Sequence, residues 1–185
     1  MPESPLFTVS PADVVAFWRD AGPTRWFRKD STFDDECRAR FAVAHDAAMR
    51  GEFDHWASDA TSTLALLILL DQIPRNVFRG TARMFESDAQ ARAFARHAVA
   101  HAFDAQVDAD LRNFLYLPFM HSEDLSDQDF AVSLTRKLGD EPLRYAVLHR
   151  DIIERFGRFP HRNAVLGRET TPEEQRFLDD GGFAG

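Results

Sequence analysis

The sequence is short of several things a 185-residue chain often has. Its single cysteine, Cys37, excludes an intrachain disulfide and points to no cysteine-based metal site. The longest apolar run, Leu64 to Leu70, is far shorter than the roughly 20 residues a membrane-spanning helix needs. The opening Met1-Pro2-Glu3-Ser4-Pro5 has neither the basic nor the apolar region of a secretory signal, so a cytoplasmic location is expected. Lysine occurs only at 29 and 137, and the net charge of −8 argues against a nucleic-acid partner, because backbone affinity rests on cationic surface. Strand-like alternation is absent, and no Asn-Gly or Asp-Gly hairpin signal separates apolar runs.

What is present is apolar and helical. Hydrophobic residues make up 44 % and charged residues 28 %, enough for a real core and too apolar for disorder. Seventeen Phe against two Tyr supply apolar area with no hydroxyl to satisfy, which suits dry helix–helix contacts. Ser10-Pro11-Ala12-Asp13 has a cap, a Pro at the first helical position and a first-turn acid, and predicts a helix. Ser31 or Thr32 opens a longer one that Gly51 closes. Residues 58–72 are apolar nearly all round and predict a central helix ended by Pro74 and the Gly80 region. Ser87 is expected to cap a helix over 88–103; another should run from about 108 to Tyr116, where Pro118 interrupts or bends it. Ser126 is expected to cap a helix that Gly139 ends. An amphipathic helix follows over 141–156, stopped by Gly157, and Thr171-Pro172-Glu173-Glu174 is a capping box for a last helix to about Asp179. The expected fold is an all-α, compact antiparallel array of about seven to nine helices in a single domain over 1–185, with flexible ends at 1–9 and 181–185.

Three segments concentrate polar groups. In the first, Asp71-Gln72-Ile73-Pro74-Arg75-Asn76-Val77-Phe78-Arg79-Gly80, Asp71 and Gln72 sit at the end of the most buried helix, where a polar group must be paired. Arg75 and Arg79 either close on neighbours or hold an anion. The second, Pro118-Phe119-Met120-His121-Ser122-Glu123, offers His121 as a general base and Glu123 as an acid or orienting group. Its three consecutive polar residues do not face one another on a helix, so a triad within them is poor geometry, and Ser122 suits a cap. The third, Phe156-Gly157-Arg158-Phe159-Pro160-His161-Arg162-Asn163, is constrained by Gly and Pro and dense in planar donors, as a rigid binding loop would be. Its His161 is a second candidate proton carrier. His149 should point inward from the helix leading into this loop, either as a satisfied core residue or as part of a site. His97 and His101, four residues apart, lack a third ligand nearby and fit a packed or solvated pair.

The first and third segments echo each other: each follows an apolar helix, and each offers Pro, Arg, Asn and a later Arg near a Gly. Two such loops predict a shared cleft, with chance similarity as the alternative. There is no Walker loop, Rossmann glycine pattern or nucleophile elbow, and the expectation is of no cofactor and no metal.

The runs Leu69-Leu70-Asp71-Gln72-Ile73-Pro74-Arg75-Asn76-Val77-Phe78-Arg79-Gly80, Pro118 to Glu123 and Phe156 to Asn163 resemble the bacterial family known as domain of unknown function 924. Phe17-Trp18, Trp26-Phe27, Asp30, Leu166-Gly167-Arg168 and Glu173-Glu174 carry the resemblance along nearly the whole chain. It implies a helical fold similar to tetratricopeptide-repeat superhelices and brings no catalytic residue with it. The sequence has no visible repeat period, which weakens any analogy with repeat proteins that bind peptides.

From the residues alone, the leading expectation is a pocket for a small phosphate- or carboxylate-bearing anion, formed by Asp71, Gln72, Arg75, Asn76, Arg79, His149, Arg158, Arg162 and Asn163. His121, Glu123 and His161 would then be the acid–base candidates. The rival is a helical interaction module with a groove for a peptide or protein partner. A buried hydrogen-bond network that only joins helices is a third reading. None of the three fixes the oligomeric state.

Overall fold

Why Pro74 does not end the central helix is the key to the architecture. In the computed structural model, which describes residues 9–183, Ala60–Leu67 is α-helical, Ile68–Gln72 forms a π-helical turn, and Ile73–Val77 is α-helical again. The Ile73 N–H reaches back five residues to the Ile68 carbonyl. Proline lacks an N–H and its ring crowds the carbonyl four residues earlier, so one wide turn lets the chain continue past it. The expected stop at Pro74 is therefore corrected: Pro74 lies in the first turn of the renewed helix. Side chains serve the four carbonyls around the wide turn. His45 Nδ1 donates to Leu69 O (2.9 Å), Ser87 Oγ to Leu70 O (2.5 Å), Arg75 Nη1 to Asp71 O (2.6 Å) and Asn76 Nδ2 to Gln72 O (3.0 Å). The Gln-Ile-Pro-Arg-Asn run thus carries both the cause of the distortion and part of its repair.

With the segments over 60–77 counted as one helix, the described residues hold nine α-helices and no strand. They are α1 (Pro11–Ala21), α2 (Pro23–Trp26), α3 (Ser31–Met49), α4 (60–77), α5 (Asp88–Ala100), α6 (Leu117–Met120), α7 (Leu125–Thr135), α8 (Asp140–Phe156) and α9 (Pro172–Asp179). Residues 64–70 of α4 are essentially solvent-free, with α1, α3 and α5 packed around them. Trp18, Phe33, Phe114 and Phe119 fill the same core. A smaller apolar cluster of Ile152, Ile153 and Phe159, with Phe156, Phe177 and Phe183 against it, joins α8 to α9. No helix among the described residues is long and apolar enough to cross a membrane.

The predicted capping box forms at Thr171/Glu174, and the predicted cap Ser10 and first-turn acid Asp13 also close into one. Several other boundaries differ from expectation. α3 does open at Ser31, but its cap is Asp30, which accepts from Thr32 N and Phe33 N. Ser87 stands at the cap position of α5, but its hydroxyl is spent on Leu70 O. Asp124, not Ser126, caps α7, and Gly139 (φ 108°) precedes α8 in place of closing α7. The helix expected from 108 to 116 is a series of turns with a 3₁₀ segment at Arg112–Leu115. Pro118 then sits in the first turn of α6, where a missing N–H costs nothing. Of the ends expected to be flexible, residues 1–8 and 184–185 lie outside the described residues.

Candidate functional site

Three chain segments far apart in sequence meet at the C-terminal end of α4. Asp71, fully buried on the π turn, accepts from Gln72 Nε2 (2.5 Å) and from His121 Nδ1 (2.8 Å) at the end of α6. Arg75, one turn on, places Nη1 3.2 Å from Asp71 Oδ1 and Nη2 3.0 and 3.1 Å from the two oxygens of Asp88. Only Asp88 Oδ2 is aligned to accept; Oδ1 has no hydrogen-bond partner. Arg162, in the 3₁₀ turn Pro160–Arg162, approaches from the other side. Its Nη1 is 3.6 Å from Asp88 Oδ2, and its Nη2 donates to His121 O at 3.0 Å. The Arg162 guanidinium carbon lies 4.5 Å from the centroids of both the Phe85 and the Phe159 rings. His149 and His161 complete the cluster. Their rings pack against Phe159 and Phe183 at centroid distances of 4.5–5.6 Å, and His149 Nδ1 donates to Tyr145 O at 2.8 Å.

The remaining predicted residues face neighbouring, closed networks. Arg79 grips both oxygens of Asp34 (2.7 and 2.8 Å) and donates to Asn76 Oδ1 (3.1 Å). Arg158 grips both oxygens of Glu174 (2.6 and 2.8 Å), and Asn163 Nδ2 donates to the same carboxylate (3.2 Å). Glu123 is held by two nitrogens of Arg168 (2.7 and 3.0 Å) and by the Phe159 N–H (2.8 Å). Arg168 Nε donates to Asn163 Oδ1 (2.9 Å). Arg79 thus ties the end of α4 to α3, and the other groups tie the loop after α8 to the segment after α6 and to α9.

Burial sets the electrostatics of the central cluster. For Asp71 desolvation opposes ionisation, yet Arg75 and His121 outweigh it and hold the carboxyl at about 2. Burial, reinforced by Arg75, pushes His121 below the usual imidazole range. Burial lowers His149 to about 4; burial and Arg162 lower His161 to about 3. Arg162 itself drops to about 10, through burial and the nearby Arg75 charge, and stays cationic at neutral pH. Three neutral imidazoles therefore surround two guanidiniums and two carboxylates. With Nδ1–H given to Asp71, His121 presents Nε2 as its lone-pair nitrogen. Among the described residues, seven buried side-chain nitrogen or oxygen atoms lack a hydrogen-bond partner, and three of them are here: Asp88 Oδ1, His161 Nδ1 and Arg162 Nε. No group of three or more His, Cys, Asp or Glu among the described residues is arranged to hold a metal. The His97 and His101 rings lie 4.0 Å apart at a tilt of 33°, with His97 Nε2 donating to Ala57 O.

The family model for "Bacterial protein of unknown function (DUF924)" matches residues 14–182. The chain belongs to this family. The solved structure of a protein of unknown function from Agrobacterium tumefaciens is similar to this DUF924 member, with 54 % identity and a TM-score of 0.90. The match covers 92 % of this chain and 97 % of that one. No curated protein matches.

Within this DUF924 chain, sequence reasoning missed Asp88, which bridges the two arginines, and Phe85, which stacks on Arg162. Asp88 reads as an ordinary first-turn acid, and a lone Phe in a surface turn carries no signal. Two surface depressions lie away from the cluster. One, of about 350 Å³, is lined by Asp13, Phe17, Asp20, Arg25, Glu36 and Arg40 among others. The other, of about 310 Å³, includes Pro23, Trp26, Phe27, Phe114, Leu138 and Pro142.

Proposed function

We propose that this is a cytoplasmic protein that binds a small phosphate- or carboxylate-bearing molecule between Arg162, His161 and His121, with Asp71–His121 as an acid–base pair. The observation that carries this reading is the concentration of unpartnered buried polar atoms, Arg162 Nε, His161 Nδ1 and Asp88 Oδ1, at the point where three segments converge. A buried polar atom left unmatched costs free energy, and such atoms gathered in one place fit a group supplied from outside the chain. Asp71 orients His121 and would stabilise its imidazolium form, leaving Nε2 to take a proton from a bound molecule. Arg162 is the anion holder, since Arg75 is engaged by Asp71 and Asp88, Arg79 by Asp34 and Arg158 by Glu174. Half-buried Phe183 lies against both outer imidazoles, so a ligand reaches them by displacing it.

The test is a thermal-shift screen of phosphorylated and carboxylated metabolites against the protein and its Arg162→Lys variant. A ligand at a hundred times its dissociation constant adds about 2.7 kcal/mol, a visible rise in Tm. The reading expects a rise that Arg162→Lys removes while remaining folded. A panel with no response from the intact protein refutes it.

A second reading rests on the aromatic depression at Trp26, Phe27 and Phe114. Phe27 is 65 % exposed yet stacks on Phe114, the kind of surface an apolar side chain of a peptide or protein partner covers. It expects Phe27→Ser to abolish partner capture and leave the thermal-shift panel unchanged.

A further inference from the structure

We propose, resting on the anion-site reading above, that the site takes a small carboxylate carrying a hydroxyl or amino group on the adjacent carbon, and rejects phosphate esters. Charge is the first argument. Arg75 and Arg162 bring two positive charges, and Asp71 and Asp88 bring two negative ones to the same contacts. Neighbouring Glu123 is already matched by Arg168. The three imidazoles are kept neutral by burial and by the guanidiniums. A phosphate dianion would enter a region with no net positive charge to meet it, and an uncompensated buried charge is expensive. A carboxylate adds a single charge, and an amino acid adds none.

Shape is the second argument. Phe85 and Phe159 each place a ring centroid 4.5 Å from the Arg162 guanidinium carbon, and the group's N–H donors all lie along its in-plane edge. On that edge Nη2 is used by His121 O, and Nε is the free donor. Both anions can meet a guanidinium with two oxygens, but a phosphate carries further oxygens for which aromatic rings offer no hydrogen bond, whereas a carboxylate has none to spare.

The third argument is the unmatched acceptor. Asp88 Oδ1 pairs with Arg75 Nη2 at 3.0 Å but accepts no aligned hydrogen bond, and the other oxygen of the same carboxylate, Oδ2, lies 3.6 Å from the Arg162 guanidinium. A ligand whose carboxylate rests on Arg162 would present a hydroxyl or amino group on the next carbon to Asp88. One molecule then satisfies both a free donor and an unmatched acceptor, which acetate, having no donor, does not.

The experiment is calorimetric titration of the full chain at pH 7 with glycolate, acetate and inorganic phosphate. A hydrogen bond to a charged group predicts that glycolate binds about tenfold more tightly than acetate, with phosphate the weakest. Asp88→Asn should narrow the glycolate advantage several-fold, and Arg162→Lys should weaken both carboxylates. Equal affinity for glycolate and acetate in the unaltered protein overturns the proposal, and that comparison needs no variant to fold. Phosphate binding tighter than glycolate and lost in Arg162→Lys also overturns it while keeping the anion site. Silence from all three probes removes both.

Discussion

The segments at 73–80 and 159–168 have similar sequences and divide their residues in the same way, but they end in different states. In each, the first arginine turns inward to Asp88, and the following asparagine accepts from a second arginine that grips a carboxylate. Arg79 takes Asp34 and Arg168 takes Glu123. The outer halves are equivalent and closed. The inner halves are not: Arg75 has a backbone carbonyl and two carboxylates, whereas Arg162 has one carbonyl, a distant carboxylate and a free Nε. An arginine-rich motif thus marks a candidate site only where its donors are left over after the fold has used what it needs.

The sharpest way to break this comparison is to truncate both inner arginines. Arg75→Ala strands Asp71 and Asp88 in the interior and should cost about 3–5 kcal/mol, lowering Tm by roughly 10 °C or more. Arg162→Ala should cost less than half as much, because only one hydrogen bond ties that side chain to the fold. Equal losses in calorimetry would make Arg162 as structural as Arg75 and collapse the distinction.

A pH titration of stability probes the open side of the comparison. His149 and His161 sit at about 4 and 3 in the folded protein, below the usual 6.5. As pH falls below about 6.5 the unfolded chain takes up these protons first. Their contribution is therefore complete above pH 6.5 and is lost progressively toward pH 4 and 3. Tm should drop by several degrees between pH 6.5 and 4.5, and His161→Phe should flatten that slope. Superimposable slopes would mean that His161 titrates as an exposed residue.

The smallest effect tests the claim that the outer halves match. Asn76→Ala removes a buried amide with two partners and Asn163→Ala one with three, the third a long 3.4 Å contact to Thr170, and each should cost about 1–3 kcal/mol, nearly equal in denaturant unfolding. A large inequality would show that the likeness of the two loops stops at their sequences.

Local chemistry made much of the fold legible. The capping boxes at Ser10 and Thr171, the apolar 64–70 run and the amphipathic α8 closed by Gly157 all depend on residues within one or two turns of each other. The misplaced features depend on distant partners. Ser87 looks like a helix cap until α4 offers it an unsatisfied carbonyl, and Pro74 looks like a stop until the wide turn accommodates it. The same division holds for the site. Asp71, Arg75, His121, His149, His161 and Arg162 were nameable from composition and punctuation and are brought together. That Arg79, Arg158, Asn163 and Glu123 close on Asp34, Glu174 and Arg168 depends on pairings that only the tertiary structure makes.

The wide turn in α4 also governs how this protein can change length. Each residue of an α-helix rotates the chain by about 100°, so the one extra residue accommodated at Ile68–Gln72 sets the angular phase of everything after it. Deleting a single residue there would restore a regular helix and swing Arg75 and Asn76 away from Asp88 and the carbonyls they serve. The turn behaves as a keyed coupling between a rigid apolar shaft and the polar head it carries. Substitutions can drift on either side of it, but insertions and deletions across it should be rejected as a failure of alignment, not of packing.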